Sequence, residues 1–164
     1  MTTYIVIRSD LIETADEARD YYRARLAGPR SITSDGRPVT IVFERDATHL
    51  YSTELKDPAS TLPRVVRTIA PGKLDVREFS VERARLMDRV PEAIEGYTVS
   101  VPAVGGRAGA EKSMIYGRLL PAVGYMRVVL RPGPGIAFTC VSAYPVSEGE
   151  WMNARRLKRA RFPP

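Results

Sequence analysis

Apolar and polar residues follow one another along this chain in two rhythms, helical in the first part and strand-like in the second. Thr14-Ala-Asp-Glu17 has the form of a capping box, and Ala15, Ala18, Tyr22 and Leu26 then recur at helical spacing until Gly28 and Pro29. Ser80 is placed to cap a second helix, VERARLMDRV, that turns Val81, Ala84, Met87 and Val90 inward. Pro91 interrupts it or opens a short successor, PEAIEG, closed by Gly96. Residues 3–8, TYIVIR, predict a first strand. After a turn at Ser34-Asp35-Gly36, the alternation of Val39, Ile41 and Phe43 predicts a second, in PVTIVFERDATHLYS, with His49 at its end. Pro58, Pro63 and Pro71 leave residues 57–72 room for at most one short helix, 64–69. Beyond Gly96, YTVSVP, SMIYGRLL, YMRVVLRP and IAFTCVSAYPV all read as strands. The predicted fold is α+β in a single domain, residues 1–164, with N-terminal helices packed on a C-terminal antiparallel β-sheet.

The last two hairpins allow a register to be written. A loop at Pro132–Gly135 pairs Arg131 with Ile136, Val129 with Phe138 and Arg127 with Cys140. A loop at Pro121–Gly124 pairs Leu120 with Tyr125 and sets Arg118 opposite Arg127. One face then carries Tyr116, Arg118, Arg127, Val129, Arg131, Phe138, Ser142 and Tyr144. The other carries Ile115, Leu119, Met126, Val128, Leu130, Ala137, Val141 and Ala143, with Thr139 its one polar member. Like charges directly opposite cost about 0.2–1 kcal/mol, so packing alone does not call for Arg118 against Arg127. Three guanidiniums beside hydroxyls make a phosphate-sized anion site; the other reading is a solvated outer face. A one-residue slip in either turn scatters the cluster.

Composition narrows the chemistry. The chain has 164 residues and is 44% apolar, enough for one core, and no run is long and apolar enough to span a membrane. MTTYIVIRSD is too soon interrupted by charge for a secretory signal, which together with the single Cys140 points to the cytoplasm. One cysteine excludes an internal disulfide, and one histidine argues against a zinc site. No cofactor or metal is expected. With 25 Lys plus Arg against 19 Asp plus Glu the net charge is +6, which favours polyanionic partners such as RNA. Apart from Lys56, Lys73, Lys112 and Lys158 the basic residues are all arginine, suited to bidentate phosphate contacts.

The order VTIVFERDATHLYS, REFSVERARLMDRVPEAIEGY, MIYGRLLPAVGYMRVVLRPGPGIAFTCVSAYPV resembles the phage-associated barnase/EndoU/colicin/RelE-like nucleases. The motifs that carry the resemblance are His49 after a strand, Arg77 and Phe79 at a helix start, Glu82-Arg83-Ala84, and Ser142-Ala143-Tyr144-Pro145-Val146. It spans residues 38–146 and leaves 1–37 as an N-terminal strand–helix extension and 147–164 as a basic C-terminal tail. The resemblance implies helices packed on an antiparallel sheet that cuts RNA without a metal. The substrate's own 2′-OH is then the nucleophile and a 2′,3′-cyclic phosphate is left. It also implies RNA as partner, with an immunity, antitoxin or other protein as a second kind, in the cytoplasm of the producing or a target cell. Under it, His49 is base or acid, Arg118, Arg127 and Arg131 hold the phosphate, and Ser142 and Tyr144 donate hydrogen bonds. Lys112, Arg77, Arg155, Arg156 and Arg159 add RNA contacts. The chain departs from the pattern in lacking a second histidine and in having Ser142 where threonine is commoner. Two alternatives therefore stand beside the nuclease: a nucleic-acid-binding module without catalysis, and a protein-interaction or inhibitor protein.

Other motifs weigh less. Asp46 either orients His49 or belongs to a turn, and Tyr51 either shares a face with His49 or is core. Arg77, Arg83, Arg85 and Arg89 surround the second helix as a solvated face or a phosphate-facing stripe. GGRAG, residues 105–109, lacks the Lys-Ser/Thr ending of a P-loop. Cys140 has no neighbouring base and Ser142 no triad context, so neither reads as a nucleophile.

Overall fold

The capping box at Thr14 forms as predicted. Its hydroxyl accepts from the Glu17 amide at 3.1 Å, while the Glu17 carboxylate accepts from the Thr14 amide at 3.0 Å. It starts α1 (Ala15–Arg25), whose Ala18, Tyr21 and Tyr22 are buried. The computed structural model describes residues 5–34, 36–103, 112–119, 124–133, 137–156 and 162. Residues 5–8 are not a strand but an irregular lead into a single 3-10 turn at Ser9–Leu11, so the expectation from TYIVIR fails where it is described. With no neighbouring strand to pair it, the run Ile5-Val6-Ile7 has only Val6 packed against the core.

Gly28 takes φ of +113° as the chain leaves α1, and the next seven residues form β1 (Gly28–Ser34) rather than a loop. β1 makes a hairpin with β2 (Arg37–Phe43). After a 3-10 turn at Thr48–Leu50 come β3 (Ser52–Glu54), β4 (Arg64–Ala70) and β5 (Lys73–Phe79). The short helix expected at 64–69 is thus a strand. Pro71-Gly72, with Gly72 at φ +73°, turns β4 back onto β5 and overrides the local reading.

The second helix is split into α2 (Val81–Arg85), capped by Ser80, and α3 (Val90–Glu95), joined by a 3-10 turn and opened by Pro91. Four strands follow: β6 (Tyr97–Ala103), β7 (Lys112–Leu119), β8 (Gly124–Pro132) and β9 (Ala137–Val146). The basic tail is not extended chain at its start: Glu148–Arg156 is helix α4.

The architecture is α+β with two sheets. The larger has strand order β1-β2-β9-β8-β7-β6, and the smaller β3-β5-β4. The larger is mixed, because β2 runs parallel to β9 through Thr40–Ala137, Ile41–Phe138 and Val42–Thr139, where a wholly antiparallel sheet was expected. Its core face meets α1 and α3, and Tyr22, Ile32, Ile94, Ile115, Val128 and Leu130 all fall in one buried cluster. Val81, placed inward by the sequence pattern, is 39% exposed. Among the described residues no helix is long and apolar enough to cross a membrane.

Candidate active site

The observed register moves the arginines apart. Tyr116, not Arg118, lies opposite Arg127, and Arg118 pairs with Tyr125, because the β7–β8 turn begins one residue sooner than expected. That shift is even, so the faces hold and the like-charge pair disappears. On the other side Arg127 pairs with Tyr144 and Val129 with Ser142, after which a β-bulge at Val141 changes the phase. Leu130 then pairs with Cys140, Arg131 with Thr139 and Pro132 with Phe138. Phe138, assigned to the arginine face, and Cys140, set opposite Arg127, are core residues instead, while Thr139, assigned to the core face, moves to the other. Burial pushes the Cys140 thiol up to about 12, which leaves it a packing group.

The face expected to be open is partly covered. α4 lies on it, with Trp151 stacked on Tyr125 at 4.4 Å and Tyr116 and Ala154 buried between helix and sheet. Arg127 contacts the Met114 sulfur and lies 3.6 Å from the Glu150 carboxylate. Arg155 sits over the Trp151 ring, and Arg156 is exposed on the same helix. Lys112 and Arg118 are placed by backbone alone, opposite Ala103 and Tyr125; their side chains and Arg159 lie outside the described residues.

His49 stands elsewhere, at the point where β2 leaves β9. Beyond Phe43 the chain turns away, and the 3-10 turn is pinned by buried Ala47, Thr48 and Leu50. His49 is therefore not the end of a strand. Its Nε2 is 3.3 Å from Asp75 Oδ2 on β5, and Asp75 in turn lies 3.8 Å from Arg67 on β4. Ser52 is the buried hub beside this pair. Its hydroxyl donates to Thr48 O at 2.6 Å and accepts from Arg77 Nε at 2.9 Å. Arg83 Nη1 donates to the carbonyls of Ser52 at 2.8 Å and His49 at 3.2 Å. Two guanidiniums thus clamp the backbone that carries His49.

Burial, and then the charge of Arg77, hold the His49 imidazole below its ordinary pKa, while Asp75 pulls it up. The result is a neutral ring at pH 7. A bond from Nε2–H to Asp75 fixes the tautomer and leaves Nδ1 as a base. Burial, the largest cause, pulls Arg77 and Arg83 below the ordinary arginine range, and both remain charged.

A cavity of about 100 Å³ opens beside the ring, lined by His49, Arg67, Glu44, Arg131, Thr139 and the bulge residue Val141. Arg131 reaches across it to Glu44 at 3.4 Å. Arg83 joins this cavity's wall to the sheet face, since its guanidinium also lies 4.7 Å from the centre of the Tyr144 ring, with Arg127 at 5.6 Å. Of the predicted residues, then, His49 and Arg131 share a cavity and Arg77 supports it, while Tyr144 and Arg127 lie outside its lining and connect to the His49 turn only through Arg83. Ser142 lies on Tyr144's strand and face.

Asp75, Arg67 and Ser52 were not anticipated. Counting outward from Pro71-Gly72 as a turn would have set Thr68 against Asp75; a register shift between Thr68 and Ala70 brings Arg67 there instead. Asp46 does not orient the imidazole; it binds Arg23 at 2.6 Å, and Tyr51 is core. Among the described residues no three His, Cys, Asp or Glu side chains gather as metal ligands. The chain matches no protein-family model, no curated protein and no solved structure.

Proposed function

We propose that this protein is a metal-independent endoribonuclease of the barnase/EndoU/colicin/RelE-like kind, working at the His49 cavity. One observation carries the reading: an imidazole 3.3 Å from Asp75 shares a cavity with Arg67 and Arg131. His49 Nδ1 takes the proton of the 2′-OH, whose oxygen attacks the adjacent phosphorus. The P–O5′ bond breaks and a 2′,3′-cyclic phosphate remains. Arg67 and Arg131 stabilise the charge that builds on the phosphoryl oxygens. Ser142 and Tyr144 supply hydroxyl donors, and protonation of the departing 5′-oxygen falls to Tyr144 or water. The α+β layering, with α1 and α3 on one face of the larger sheet, supports the likeness; α4 on the opposite face, the parallel β2–β9 pair and the second sheet are additions to it.

A gel assay on mixed RNA in EDTA tests this. Wild-type protein is expected to yield 2′,3′-cyclic ends, and His49→Ala to lower the rate about 100-fold or more. Arg131→Ala is expected to impair cleavage more than Arg127→Ala, whose guanidinium faces α4. Equal cleavage by wild type and His49→Ala would overturn the assignment. A second reading, RNA binding without cleavage, is favoured by the absence of a second histidine and by the use of Arg77 and Arg83 as backbone clamps. RNA that is shifted on the gel but intact would establish it.

A further inference from the structure

A second, larger cavity of about 280 Å³ lies on the other side of the 3-10 turn, between α1 and β4. Arg19 and Arg23 reach it from α1, Arg67 from β4, and Thr48 and Tyr51 line its base. Asp16 and Asp46 also line it, each already bound to an arginine, Asp16 to Arg19 at 3.4 Å and Asp46 to Arg23 at 2.6 Å. With Arg64 included, four guanidiniums and two carboxylates line the groove; Arg19 also pairs with Asp20 at 3.1 Å and Arg67 with Asp75 at 3.8 Å, while Arg64 donates to the backbone carbonyls of Pro58, Ser60 and Leu62.

Two groups here are unexplained by the fold. Thr48 is 4% exposed, yet its Oγ1 has no hydrogen-bond partner among the described residues. Arg67 Nε is likewise buried and unpartnered. A buried polar atom left without a partner is destabilising, and native proteins keep few of them. Both line this groove. Arg67 also lines the His49 cavity, so one guanidinium stands between the two spaces. Thr48 and His49 are neighbours on one turn, the former facing the groove and the latter the cavity.

We infer that the groove is a nucleotide subsite: it holds the nucleotide adjoining the scissile phosphate, with Thr48 Oγ1 bonded to its ribose or phosphate oxygens. Arg67 bridges the reacting phosphate to the next one, and Arg19 and Arg23 draw the strand into the groove. The inference rests on the ribonuclease reading. It adds that α1, outside the nuclease-like segment in the sequence, builds part of the substrate site. An extended acidic peptide added to the edge of β4 is the competing occupant. RNA is favoured because both unpartnered groups are side-chain atoms, and because the groove shares Arg67 with the cavity that takes phosphate.

Fluorescence anisotropy with 2′-O-methyl oligonucleotides, which lack the attacking hydroxyl, tests the subsite. Going from a dinucleotide to a tetranucleotide is expected to tighten wild-type binding about tenfold. Thr48→Val and, independently, Arg19→Gln are expected to abolish most of that gain, with circular dichroism showing the fold retained. A wild type that cleaves RNA, with the same gain in both variants, overturns the subsite and leaves the nuclease standing. A wild type that neither cleaves nor binds overturns both. Displacement of no oligonucleotide by an oligoglutamate peptide that nevertheless binds, with binding lost in Arg19→Gln, reassigns the groove to a peptide.

Discussion

His49 is the chain's only histidine, so its imidazole signals in a proton spectrum can be followed without assignment. Their midpoint is expected below 6.5. Asp75→Asn removes the group that pulls the pKa up and lowers the midpoint further; Arg77→Gln raises it. A midpoint at or above 6.5 in wild type would contradict the burial that defines the site. If His49 is the base, kcat/KM climbs with pH through the same midpoint and then levels off. The ring's effect on stability has a definite sign. Above the unfolded value of 6.5 both states hold it neutral. As pH falls through 6.5 the unfolded chain binds the proton first, and stability declines until the lower folded midpoint is passed. Cys140 offers a second check: a thiol reagent is expected to leave it unmodified until denaturant is added. Rarity and chemistry made His49 visible in the sequence. Asp75 was hidden because nothing in LDVREF marks a carboxylate as paired until the hairpin is known.

Elements were legible where their own residues decide them. The Thr14 box, the Ser80 cap, Pro91 and the four late strands all rest on local chemistry, and all formed. β4 was misread because RVVRTIA is too short for its rhythm to exclude a helix, and its strand state comes from β5. The bulge was illegible for a related reason. The burial of Phe138, Cys140 and Ala143 steps by two and then by three because Val141 is an extra residue opposite β8, and no turn residue marks it. Packing between elements gives two tests. A Cβ on Gly117 would lie 2.5 Å from the Ala93 carbonyl oxygen, so α3 and β7 meet there without room for a side chain. Gly117→Ala is expected to destabilise by about 1–3 kcal/mol in a urea melt. Trp151→Ala, which removes the stack on Tyr125, is expected to cost a similar amount, about 1–3 kcal/mol, and to uncover Tyr116. An unchanged midpoint in the second variant would mean that α4 is not held to the sheet.

At the scale of the whole molecule, the two sheets meet at the place where β2 parts from β9, and the His49 cavity occupies the parting. The sequence pointed to helices on a sheet but not to this junction, since parallel pairing between distant segments leaves no local mark. The same pairing decides when the cavity comes into existence. Thr40 pairs with Ala137, and Arg131 and Val141 close the space around His49, so the wall is missing until β8 and β9 have been made and paired. Until those strands arrive, His49, Asp75 and Arg67 stand on a nascent chain without their cavity. On the proposed ribonuclease reading, the nearest RNA during that interval is the ribosome itself. Completing the wall with β9, made long after His49, is in effect a delay built into the order of translation.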